Sequence, residues 1–317
     1  MQRPTRQLLL FAAAAALAAR VADAGLFSGV FSDGAVLQRA PARAALFGAL
    51  AAPPAAAAHV TVNVSDAASG WFASFGADVA LDGTWKVLLD ARPAFGNISV
   101  AAACDAGCTS PADTAVSTLA DLTFGDVWYN TGQSNMWLPL KNTFDRNASL
   151  AALLAGKYSN LRFFNLPSAS STTPRFVVNA SRGPGPNDGF WRRASSAAAD
   201  IVDPATGESA FVSFSATAWY FAQALTDLMQ GNGSVVPVGL VHTAVGGTMI
   251  EQWSPFDAQA ACVNATCLCT APGCDQLQPI NAANCTGNGQ LFNALVAPFV
   301  NMSVFGWLWY QGKAARF

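Results

Sequence analysis

Gly125-Asp126-Val127-Trp128-Tyr129-Asn130-Thr131-Gly132-Gln133-Ser134-Asn135-Met136 is the stretch on which the fold of this chain turns. An apolar run from Phe124 to Tyr129 gives way to polar residues and Gly132, the pattern of a short buried strand that ends in a tight turn. Ser134 follows at once. A serine hydroxyl is a weak nucleophile until a base takes its proton and N–H donors await the oxyanion. A strand end suits both needs, because the backbone turns there and exposes its N–H groups. Taken alone, Gly132 to Asn135 is also what an ordinary Asn/Ser turn looks like, so the surrounding chain has to decide.

Downstream of Ser134, strand and helix patterns alternate. A helical stretch near Leu150 to Leu154 precedes a strand at Leu161 to Asn165, and residues 167 to 190 read as a long Ser/Thr/Pro/Gly loop. Ser215 is a natural N-cap for a helix carrying Ala218, Phe221, Leu225, Leu228 and Met229 at helical spacing, closed by Gly231. Val235 to Val241 reads as a buried strand leading into His242-Thr243-Ala244-Val245-Gly246-Gly247-Thr248. After a Cys- and Asn-rich insertion at 255–290, Leu291 to Val300 reads as a buried helix. Val304 to Tyr310 then reads as a buried strand ending in Gln311-Gly312. This alternation predicts an α/β domain with a mostly parallel sheet over residues 119–317, whose functional groups gather at the carboxyl ends of strands.

Upstream, residues 25–118 read as a β-rich N-terminal domain. Val60, Val62 and Val64 alternate with Thr61, Asn63 and Ser65, the period of a half-buried strand. Further strands are expected at Val36 to Phe47, Thr84 to Leu89 and Ile98 to Ala103. His59 reads as a surface strand residue. Residues 1–24 have the layout of a secretory signal peptide: Arg3 and Arg6, an apolar run from Leu8 to Ala19, and the cleavage triplet Ala22-Asp23-Ala24. Eight N-x-S/T sequons, at Asn63, Asn97, Asn147, Asn179, Asn232, Asn264, Asn284 and Asn301, point the same way, to a secreted or lysosomal/vacuolar glycoprotein. The seven cysteines fall in two local groups, Cys104 and Cys108, then Cys262 to Cys285, as disulfide-stapled loops do. Zinc-like C-x2-C pairs are lacking, which argues against a metal site.

Charged residues make up 11% of the chain against roughly 25% in soluble proteins generally, with net charge −2 and no basic run. That argues against nucleic acid as a partner. Mean hydropathy is positive, +0.29, largely through alanine. Within 291–310 Asn293, Pro298 and Asn301 interrupt the apolar residues, so no membrane span is expected after signal cleavage.

Three strand ends therefore carry small or amide-bearing groups: Gly132-Gln133-Ser134-Asn135, Gly246-Gly247-Thr248 and Gln311-Gly312. Acyl transfer needs a nucleophile and two or three N–H donors converging on one oxygen. Ser134 supplies the first. Its own N–H, a glycine N–H at Gly246 or Gly247, and the Gln311 side-chain amide are candidate donors, with Asn135 beside the nucleophile.

In this order the motifs resemble the sialate O-acetylesterase family of SGNH-type serine hydrolases. The resemblance runs through Phe31-Ser32-Asp33, Val36-Leu37-Gln38-Arg39, Gly125-Asp126-Val127-Trp128, Gly132-Gln133-Ser134-Asn135-Met136 and Phe214-Ser215-Ala216. It continues through Val238-Gly239-Leu240, Gly246-Gly247-Thr248, Trp253-Ser254, Leu291-Phe292-Asn293 and Trp309-Tyr310-Gln311-Gly312. It implies a β-rich, sandwich-like N-terminal domain packed on an SGNH α/β domain. It also implies hydrolysis of O-acetyl esters of sialic acids or related sugars through an acyl-enzyme on Ser134, with no metal or organic cofactor. The chain departs from the family at Lys313, where glutamate is usual, and it contains no Asp-x-x-His pair to deprotonate the serine. The expectation is a C-terminally truncated chain whose general base lies outside it. His242, near the same strand end, reads as a packed side chain, and Asp126 and Glu251 as structural. The alternative is a catalytically inactive glycan-binding or structural glycoprotein.

Overall fold

The computed structural model describes residues 26–178, 188–200, 202, 207–260, 266–268, 277–279 and 288–312. The signal-peptide stretch, the sequons at Asn179, Asn264 and Asn284, the cysteines from Cys262 to Cys285 other than the backbone of Cys267, and Lys313 onward lie outside the residues whose structure is described here.

Thirteen strands are described: β1 (Val36–Gln38), β2 (Ala45–Ala49), β3 (His59–Asp66), β4 (Trp71–Asp78), β5 (Thr84–Leu88), β6 (Phe95–Ala106), β7 (Ser117–Gly132), β8 (Leu161–Asn165), β9 (Trp191–Arg193), β10 (Val238–His242), β11 (Thr266–Leu268), β12 (Leu277–Pro279) and β13 (Gly306–Tyr310). Nine of them form one sheet in the order β4-β3-β6-β7-β10-β8-β9, with β1 and β13 also on β7. β2 and β5 form a separate antiparallel pair, as do β11 and β12.

β7 organises the sheet. Its first half, Ser117 to Phe124, pairs antiparallel with β6. Its second half pairs parallel with β10 on one side and β13 on the other, and β10 in turn pairs parallel with β8. The position 118/119 lies inside this strand. The mostly parallel sheet expected from the sequence is thus a mixed sheet with a parallel core. The antiparallel strands upstream join through β7 because its backbone offers hydrogen bonds on both edges along its whole length.

Burial follows pairing. In β3 the valines at 60, 62 and 64 are fully buried and the intervening residues are not, as the period of 2 requires. β8 and β10 are buried at every position. Leu161, Phe163, Val238 and Leu240 face a core completed by Trp219 and Ala222 of the helix Ala216–Gly231, whereas Phe164 and Val241 face the core shared with β3, β6 and the Phe299 region. Parallel strands covered on both faces lose their alternation. The Ser215 hydroxyl caps the helix as expected, accepting from Ala218 N at 3.2 Å. Among the described residues no helix is long and apolar enough to cross a membrane.

Several expectations need correction. Val36 to Phe47 is two strands, β1 and β2, separated by a turn at Ala40–Pro41. β4 and β9 were not anticipated; β4 places Phe72 on its wet face, 63% exposed, so no clean alternation marks it. Leu291 to Val300 is a π-helical turn, Phe292–Val296, followed by a 3-10 turn, Ala297–Phe299, and not a regular α-helix. Pro298 lacks the N–H that a continuing helix needs. β13 is not buried either: it pairs only with β7, and Trp307, Trp309 and Tyr310 are all more than 40% exposed. The sequon asparagines Asn97, Asn147 and Asn232 are exposed, and Asn63 and Asn301 half-buried. Cys104 and Cys108 are joined in a disulfide.

Candidate active site

The site is built where three parallel strands end side by side. Gly132 closes β7 with φ +138°, and a Cβ there would stand 2.2 Å from the Tyr310 carbonyl oxygen, so only glycine lets β7 and β13 run so close to their ends. Gln133 N then donates to that same oxygen at 3.0 Å, and Val245 N donates to Gly132 O at 3.0 Å. The end of β7 is thereby tied to the chain leaving both neighbouring strands.

Ser134 opens a single helical turn, Ser134–Trp137, and is exposed. The turn is held by Met136 N and Trp137 N, each donating to Gln133 O at 2.9 Å, and by the Ser215 hydroxyl, which donates to Met136 O at 2.6 Å. Thr217 Oγ1 donates to the Asn135 carbonyl at 2.9 Å, so the two residues after the nucleophile candidate are anchored to the start of the helix Ala216–Gly231.

Gly246 lies against Ser134: a methyl group on Gly246 would be 3.8 Å from both Cα and Cβ of the serine. Gly247, with φ +75°, has open space on its Cβ side. The turn they form is clamped by Thr248. Its hydroxyl donates to Val245 O at 2.8 Å and accepts from the buried Trp253 indole N–H at 2.8 Å, and its carbonyl accepts from Gln311 Nε2 at 3.3 Å. Trp309 packs edge-on against Trp253, with ring centroids 5.6 Å apart. The three strand ends singled out in the sequence, carrying Ser134, Gly246–Gly247 and Gln311, are therefore neighbours. The clamping roles of Thr248 and Trp253 were not read from the sequence, although their spacing of five residues was the available signal.

The two histidines do not join this group. His59 lies on β3 with Nδ1 2.8 Å from an Asp105 carboxylate oxygen. His242, at the end of β10, is 3% exposed; its Nδ1–H donates to Asn165 Oδ1 at 2.7 Å and its ring packs edge-on to Phe214. Burial lowers its pKa to about 4, against a weaker opposite pull from the Met136 carbonyl, so the ring is neutral at ordinary pH. Asp126 is structural: it forms a bidentate pair with Arg39, at 2.7 and 3.1 Å, and is 5% exposed. Gln38 Oε1 accepts from Val127 N beside it at 2.9 Å. The motifs at 36–39 and 125–128 are thus one unit, joined along β1 and β7. Glu251 sits in the short 3-10 turn Ile250–Trp253, with Oε2 buried and not hydrogen-bonded. Among the described residues no three metal-ligating side chains cluster.

No family model matches the chain. Among curated proteins it is similar to the sialate O-acetylesterases of Pongo abelii, 28% identical over 292 residues, and of Homo sapiens, 28% identical over 291. Each match takes in 91% of this chain and 48% of the relative, so the chain spans about half the length of the curated relatives it matches. Among solved structures it is similar to a carbohydrate acetylesterase from Xanthomonas citri, with a TM-score of 0.60 and 26% identity, over 91% of this chain and 51% of that one.

Proposed function

This chain belongs to the sialate O-acetylesterase family, and on that premise we propose that it removes O-acetyl groups from sialic acids or related sugars through an acetyl-enzyme on Ser134. The observation that carries the proposal is the exposed Ser134 at the carboxyl end of β7, with Gly246 so near that a methyl group added to it would touch the serine at 3.8 Å. The parallel strands and their helices serve in this proposal as an SGNH-type α/β unit.

In the reaction Ser134 Oγ adds to the acetyl carbonyl carbon and its proton passes to a base. The oxyanion that develops accepts from the N–H of Ser134 and from that of Gly246 or Gly247. One N–H of the Gln311 amide holds the Thr248 carbonyl and so steadies the glycine turn, leaving the second N–H of that group for the oxyanion. Collapse expels the sugar oxygen, which takes up the proton, and leaves acetyl-Ser134. Water then adds in the same way and releases acetate. His59 is engaged with Asp105 and His242 is buried with Nδ1 bonded to Asn165, so the base is assigned to polypeptide other than the described residues.

Replacing Ser134 by alanine is expected to cut acetate release from O-acetylated sialic acid by about 10³-fold or more in the full-length protein, leaving only what binding and the oxyanion donors supply. Unchanged release sinks the proposal. The burial of His242 and the engagement of its Nδ1 with Asn165 favour a second reading, a glycan-binding protein without turnover. Rapid labelling of Ser134 by a fluorophosphonate excludes that second reading.

A further inference from the structure

At the opposite pole of the parallel strands, two arginines face each other. Arg162 on β8 and Arg193 on β9 are paired positions of an antiparallel ladder. Like charges directly opposite repel and cost stability unless a negative group sits between them. The protein places one carboxylate there. Asp121, at φ +59°, accepts from Arg193 Nε at 2.6 Å and from Arg193 Nη2, and receives Arg162 Nη2 at 3.4 Å. Arg162 Nη1 is spent on the carbonyls of Gly34, at 2.8 Å, and Asp121.

One carboxylate between two guanidiniums leaves a positive charge over. Among the described residues no other acidic group pairs with either arginine. Burial lowers the pKa of Arg162 to about 10 against the attraction of Asp121, and the neighbouring Arg193 charge adds to the fall. It therefore stays charged at neutral pH.

Both arginines line a cavity of about 300 Å³. Its other polar walls are Asn97, Thr123, Ser159 and Asn160, and it contains no carboxylate of its own. Arg162 is the second residue of β8 and Pro237, also in the lining, immediately precedes β10, so the cavity lies at the amino ends of β8 and β10, and the carboxyl end of β10 leads to the glycine turn beside Ser134. We propose that this cavity binds a small oxyanion, a carboxylate or sulfate group, between Arg162 and Arg193. A guanidinium carries five N–H donors, so each arginine keeps N–H groups beyond those given to Asp121 and the two carbonyls, and the surplus charge has no better partner. The inference does not rest on the esterase proposal, since it concerns a separate cavity.

The test is a melting-temperature titration of the full chain with sodium sulfate and with sodium glucuronate, each compared with sodium chloride at equal ionic strength. Glucose serves as the neutral-sugar control. Sulfate also stabilises proteins non-specifically by exclusion from their surface, so the diagnostic is a saturable rise that depends on the arginines. Arg193→Gln is expected to raise the half-saturating concentration about tenfold or more, the loss of one charge-assisted contact. Ser159→Glu, a change at an exposed position, puts a carboxylate into the cavity wall and is expected to abolish saturation. This second variant decides the matter if the first does not fold.

A saturable response to both sulfate and glucuronate, lost in the variants, supports an oxyanion site that accepts an acidic sugar. A response to sulfate alone supports the site and assigns it to free inorganic oxyanions. A rise no greater than that in chloride, or one equally present in Ser159→Glu, overturns the proposal.

Discussion

The two halves of β7 are one continuous strand in two different environments. From Ser117 to Asp121 exposed or half-buried residues surround Leu119, which points into the core. From Leu122 to Gly132 every residue is buried except Trp128, which is half-buried. Pairing with β6, antiparallel, runs to Phe124; from Asp126 the strand pairs with β10 and from Trp128 also with β13, with packed side chains above and below. The lesson is that strand pairing and coverage, more than local composition, decide how a strand tolerates change. The same covered half of the strand ends where Ser134 and Gly246 lie side by side.

The strongest way to break this comparison is to place a lysine in each half. Val127→Lys buries an unpaired charge at a fully buried position and is expected to cost more than about 4 kcal/mol or to prevent folding. Thr118→Lys, on the exposed face, is expected to stay within about 0.5 kcal/mol. Urea midpoints for the two variants provide the check, and similar values for both dissolve the distinction.

Glycines sharpen it next. Gly132→Ala forces a Cβ onto the Tyr310 backbone at a positive φ and is expected to cost about 3 kcal/mol or more. Gly70→Ala, in the turn between β3 and β4, has a positive φ but open space, and about 1 kcal/mol is expected. Chemical denaturation of the pair tests whether the close approach at the strand end, and not backbone conformation alone, sets the cost.

The smallest effect is expected from pH. His242 is held neutral, with its pKa lowered from 6.5 to about 4, so the unfolded chain takes up a proton that the folded chain does not. Its contribution is complete above about pH 6.5 and is lost as pH falls from there towards about 4, at most about 3 kcal/mol in total. The difference in stability between the wild type and His242→Asn, followed from pH 7 to pH 4, is expected to change by up to that amount. A constant difference means that burial does not hold the ring neutral.

Much of this was legible beforehand, and each success had a local cause. The alternation at Val60, Val62 and Val64 reports a half-wet strand, and Ser215 announces its helix because a capping hydroxyl serves an N–H only three residues away. Gly132 before Ser134 marks a strand end because that φ suits glycine. The misses share a different cause. The exposure of β13, the pairing of Asp126 with Arg39 across 87 residues of sequence, and the clamp of Thr248, Trp253 and Gln311 all depend on which strands become neighbours. No window of sequence contains that information.

The sequence by itself determined where the backbone must turn, which residues are apolar enough to be buried and which few could carry acyl chemistry, since these follow from side-chain polarity, capping and backbone freedom over a few residues. Only the tertiary structure decided that β10 and β13 flank β7. That neighbourhood places Gly246 against Ser134, brings Gln311 to the glycine turn, and buries His242. The physical reason is that the parallel core is made of non-local hydrogen bonds and two-sided burial, which exist only once distant segments have met.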